Sequence, residues 1–180
     1  MTNPSSTASR SQRRASCATS LSQIQGAEPY AATGEPAFQA FWRTLVVDCV
    51  DSPTRRLSPT DVEHGGKIFT AVYNDVSAVD ELLKLRSARL LLQTMYDWRL
   101  TLTDTGLFAL VPLKVEVQEG DELVVLSGAK VPLVLRNVWG DGGVGKYEVI
   151  RTAYVHGFMD GEARLLVRGG ELEERSIGPV

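Results

Sequence analysis

"LLLQTMYDWRLTLTDTGLFALV", residues 90–111, changes its period partway along, and that change decides the fold class. Up to Trp98 the apolar residues recur as they do on one face of a helix. From Arg99 onward apolar and polar residues alternate, the period of a strand with one wet face. "RLTLT" and "LFALV" flank "DTG", which offers a glycine where a hairpin needs positive φ. The fold class is therefore α+β, with helices before this point and short antiparallel strands after it.

Working back, "KIFTAVYNDVSAVDELLKLRSARLLLQTMYDW" reads as mostly helix. Val79, Leu82, Leu83, Leu90, Leu91, Met95 and Trp98 supply its apolar face, and Ser77 with Asp80 resembles a capping box. "DSPTRRLSPTDVEHGGK" carries two prolines and a Gly-Gly pair and reads as a long loop. His64 lies in it beside Asp61 and Glu63, a solvated loop histidine rather than a metal ligand. In "GEPAFQAFWRTLVVDCV", Phe38, Phe41, Trp42, Leu45, Val46 and Cys49 form a second helical stripe, with Gln39, Arg43 and Asp48 on the other side. Two amphipathic helices are expected.

Working forward, "VQEGDELVVL" enters a strand through Gly120-Asp121, and "SGAK" turns the next hairpin, with Pro132 at a strand start. "KYEVIRTAYVHGFM" reads as one long strand, Asp160-Gly161 as a two-residue turn, and "EARLLVRG" as a strand returning beside it. Five to six short strands predict a small antiparallel curled sheet or barrel.

Three of the 19 basic residues and none of the 22 acidic ones fall in residues 1–27, which leaves 16 bases against 22 acids, a net of −6, in the rest. Residues 1–34 read as a disordered Ser/Arg-rich tail, because they cannot bury enough apolar surface to offset ordering. Such a start also suits an organelle transit peptide, but the stretch before Leu21 lacks the apolar face of one. Residues 35–168 form the folded part and 169–180 an acidic tail. With a net charge of −3, nothing draws the whole chain to nucleic acid or an anionic membrane. No apolar run is long enough to span a bilayer. Cys17 and Cys49 make no disulfide framework, which suits a reducing cytoplasm.

Candidate chemistry is sparse. "GDGGVGKY", residues 140–147, matches the core of a phosphate-binding loop. That loop needs a hydroxyl after the lysine and a helix beginning there. Here Tyr147 follows Lys146 and a strand pattern follows both. No Gly-x-Ser-x-Gly elbow and no metal-spaced Cys or His pair occurs. "AYVHGFMDGEA", residues 153–163, gathers Tyr154, His156, Asp160 and Glu162. On a strand Tyr154 and His156 share a face, and Asp160-Gly161 has the chemistry of a tight turn. A small hydrolase or metal enzyme centred on His156, Asp160 and Glu162 is the alternative to that turn and strand.

"RLTLTDTGLFALVP", "EGDELVVLSGAKVPLVLR" and "AYVHGFMDGEA" together resemble the C-terminal region of fungal heterokaryon incompatibility (HET-domain) proteins. "FWRTLVVD" is similar to a helix that precedes that block. Ala109 and Val111 stand where the family has glycines, and Arg151 and Thr152 where it tends to have a glycine and an acid. The namesake domain lies N-terminal to this region in the family, and this chain reads as the accessory part without it. The resemblance implies a role in self/non-self recognition and programmed cell death through a protein partner, such as another HET-domain protein. No catalytic residue, cofactor or metal is expected, and the interaction surface would be the exposed side of the strand carrying Tyr154 and His156, with Asp160 and Glu162.

Overall fold

The computed structural model describes residues 28–51, 53–114, 116–138 and 146–170. The tail over 1–27, the acidic end from 171 and most of the glycine-rich 140–146 loop lie outside the described residues. Helix α1 spans Ala37–Leu45, and the hairpin of β1 (Cys49–Asp51) and β2 (Thr54–Arg56) follows it. Next come α2 (Pro59–Asn74), a 3-10 helix (Val76–Lys84) and α3 (Ala88–Asp97). Six strands complete the α+β fold: β3 (Trp98–Leu102), β4 (Phe108–Pro112), β5 (Glu122–Val124), β6 (Leu133–Asn137), β7 (Tyr147–Thr152) and β8 (Tyr154–Val155). Helix α4 (Glu162–Gly169) ends the described chain.

The helix-to-strand switch falls at Trp98 as its period demands, and β3 and β4 pair antiparallel around Gly106, at φ +82°. The strands form sheets ordered β3-β4-β8 and β5-β6-β7 beside the small β1-β2 hairpin, and they do not close into a barrel. The expected long strand over 146–159 is broken at Ala153. Its amide donates to Pro132 O, so β7 stays with β6 while β8 crosses to β4.

Three other expectations are corrected. The 51–67 loop is a hairpin followed by the start of α2. Ser58 and Asp61 exchange capping hydrogen bonds, and Pro59 sits in the first turn, where its missing amide costs nothing. Gly65 is no loop signal: a Cβ there would come within 2.8 Å of the Trp42 ring, so glycine lets α1 and α2 approach. His64 is thus helical. The long helix over 67–98 is three pieces, and it is Asp75 that caps the 3-10 turn, by accepting from the Ser77 amide. "EARLLVRG" is helix α4, whose Ala163 and Leu166 pack inward at helical spacing.

The core has three parts. Trp42, Val46, Phe69 and Leu91 join α1, α2 and α3, with Trp42 stacked on Phe69 at 5.2 Å. Strand β4 is buried on both faces: Phe108 meets Tyr30, Ala37 and Ala40, while Ala109 and Val111 meet Val134, Val155 and Ala163. Ala109 and Val111, two departures from the family pattern, are therefore filled core positions. Tyr30 is buried too and Ala32 packs against the core, so packing begins before position 35, inside the stretch expected as tail.

Candidate functional site

The strap of residues 30–36 is a turn closed by its own backbone. Tyr30 N donates to Glu35 O at 2.8 Å, and Gly34 N donates to Tyr30 O at 2.7 Å. The strap lies across the end of β8. His156 N donates to Phe108 O at 3.1 Å, as an antiparallel ladder requires. The return bond is interrupted: Phe108 N donates to the Tyr30 hydroxyl at 3.1 Å, and that hydroxyl donates to His156 O at 2.9 Å. The Tyr30 ring stacks on Phe108, with centroids 5.2 Å apart and planes 8° apart. Gly157, at φ +82°, makes room for the crossing; a Cβ would stand 2.9 Å from both Ala32 Cβ and Thr33 Cγ2.

His156 is 2% exposed and Tyr154 is 7% exposed. The expected accessible face carrying both is therefore interior, with the strap over His156. His156 Nε2 lies 2.7 Å from Glu35 Oε1, and Nδ1 lies 3.2 Å from the Tyr154 hydroxyl. With the ring proton on Nε2, Nδ1 accepts from Tyr154, and both nitrogens are satisfied. Glu35 also accepts from Thr33 Oγ1 and Gln39 Nε2, each at 2.7 Å, and from Arg43 Nη1 at 2.6 Å. Burial pushes its carboxyl up, but the hydrogen bonds from His156, Gln39, Thr33 and Arg43 outweigh it and hold the group at about 2.

The charges continue in alternation. Arg43 Nε reaches Asp48 Oδ1 at 2.7 Å, and Arg56 lies between Asp48, at 3.8 Å, and Asp160, at 2.8 Å. Asp48 and Val47 take φ of +55° and +47°, a left-handed turn that ends α1. Glu162 accepts from the Asp160 amide at 2.6 Å. A cavity of about 70 Å³ is bordered by Tyr154, His156, Asp160 and Glu162 together with Arg43 and Arg56. The four residues singled out in the sequence thus converge, but as parts of a hydrogen-bonded clasp.

His156, Asp160 and Glu162 do not form a metal-ligand set, and no such set occurs among the described residues. Burial pushes the Tyr154 phenol up, and the nearby Cys49 thiol up as well, so neither is poised as a nucleophile. Strand β7 follows the glycine-rich loop, so the helix that phosphate binding requires is missing there. No described helix is long and apolar enough to cross a membrane. Tyr30, Glu35, Asp48 and Arg56 were not legible as site residues. Tyr30 and Glu35 sit in a polar, glycine-containing stretch, and a lone large aromatic in it was the available signal.

The model of one protein family, the Het-6 beta-barrel domain, a domain of fungal heterokaryon incompatibility proteins, matches residues 77–171. The match takes in Phe108, Tyr154, His156 and Gly157 and leaves out Tyr30, Glu35, Arg43 and Arg56. No curated protein and no solved structure matches the chain.

Proposed function

The chain belongs to the Het-6 beta-barrel domain family of heterokaryon incompatibility proteins, and on that premise we propose that it acts through protein contact, as an accessory module without chemistry of its own. The setting we propose is a fungal cytoplasm, and the process is the self/non-self recognition that ends in cell death. The observation that carries the non-catalytic reading is the burial of His156 beneath the strap. Its two ring nitrogens meet Glu35 and Tyr154, and its backbone meets Phe108 and Tyr30. Hydroxyl–imidazole–carboxylate contacts also occur in catalytic triads, but a general base must lie within reach of a substrate proton, and His156 and Tyr154 are both closed off from solvent. The contact reading is supported by apolar side chains left in water, among them Leu83, Leu92, Met95 and Tyr96, the last two 68% and 81% exposed.

The test is affinity capture with the tagged full chain from a fungal lysate, with captured proteins identified by mass spectrometry. Enrichment of HET-domain proteins over a tag-only control is expected. Failure to enrich any such protein would overturn the contact reading.

A further inference from the structure

We propose that the turn around His156 and Gly157, with Phe108 beside it, is a socket that reads a tyrosine-bearing peptide, filled in this chain by its own residues 30–35. The proposal deepens the contact reading above and rests on it, by naming a surface and the chemistry of its partner. Three features define the socket. The Phe108 ring offers a flat face, and Tyr30 lies against it nearly parallel. The Phe108 amide and the His156 carbonyl present a donor and an acceptor to one hydroxyl, which only a group that both accepts and donates can satisfy. The His156 ring meets a carboxylate five residues after the tyrosine, and Gly157 leaves space for small residues between them.

The socket and its occupant have different origins in the chain. Phe108, His156 and Gly157 lie inside the family-matched span of 77–171, while Tyr30 and Glu35 lie upstream of it. In this chain the matched span thus supplies the socket, and the residues before that span supply the plug. A segment with Tyr, small residues at the next positions and Glu at +5, on another chain, has the same complement of groups. Such a mode uses one buried aromatic anchor with polar contacts at its tip, as peptide recognition commonly does. A phenylalanine would leave the Phe108 amide and the His156 carbonyl without their partner, so the socket selects tyrosine.

The experiment uses the full chain carrying Tyr30→Ala and Glu35→Ala, which withdraws both anchors of the strap from the socket, and a fluorescent synthetic peptide of residues 27–37. Fluorescence anisotropy is expected to show saturable binding to the variant, roughly tenfold or more tighter than to wild type, whose socket is occupied. A peptide with Phe in place of Tyr is expected to bind at least about tenfold more weakly. Should the double variant not fold, Tyr30→Ala alone serves, since it clears the Phe108 ring and both hydrogen-bond partners of the hydroxyl. No saturable binding to the folded variant, equal binding to wild type, or equal binding of the two peptides would overturn the socket. Capture of HET-domain proteins by the wild-type chain in the face of that result would separate the two failures, leaving contact through a different surface.

Discussion

Four side chains donate to the Glu35 carboxylate, from the strap, α1 and the end of β8. Because its folded value of about 2 lies below its ordinary 4.5, Glu35 contributes stability that is complete above 4.5 and lost as pH falls toward 2. The contribution is on the order of 3 kcal/mol. Urea denaturation at steps between pH 6 and pH 2 should show a steeper acid loss in wild type than in Glu35→Gln. Gly157→Ala should cost about 1–3 kcal/mol by thermal or chemical melting, because it adds a Cβ at positive φ against Ala32 and Thr33. His156 was visible in the sequence as a residue of interest, since histidine is rare here and stands in a motif. Its partner was not, because Glu35 lies 121 positions away and no local pattern links the two.

At the scale of elements, what was legible followed hydrophobic period, and what was not followed close packing. The switch at Trp98 and the hairpin over 98–112 were readable because alternation and a turn glycine agree. Helix α2 was misread because Pro59 and Gly65-Gly66 are loop signals in isolation. Only the Trp42 ring explains Gly65, and only the Ser58–Asp61 exchange explains where the prolines stop mattering. Substitutions at the two glycines should have opposite signs. Gly65→Ala should destabilise by roughly 1–2 kcal/mol net, since the stacked Trp42 ring cannot retreat. Gly66→Ala, with that ring no nearer than 4.0 Å, should stabilise by up to about 1 kcal/mol through helix propensity. Equilibrium unfolding of both variants checks the pair. Helix α4 was missed for a related reason: the Asp160-Gly161 turn signal outweighed the i, i+3 spacing of Ala163 and Leu166.

At the scale of the molecule, the unit that folds is larger than the family match. Phe108 of β4 is covered by Tyr30, Ala37 and Ala40, and Leu91 of α3 is covered by Trp42, Val46 and Phe69. All of those covering residues precede position 77. A fragment of residues 77–171 should therefore lack a cooperative melting transition, while residues 28–170 should keep one, as read by circular dichroism against temperature. The same long-range dependence makes the His156-Gly157 turn part of a clasp that fastens the start of the described chain to its end. A double-mutant cycle on Glu35→Ala and His156→Ala, read by urea denaturation at pH 7, tests that clasp most directly. A coupling of about 1–3 kcal/mol between the two residues is expected. Additive effects, with coupling near zero, would contradict the claim that His156 is there to hold the fold.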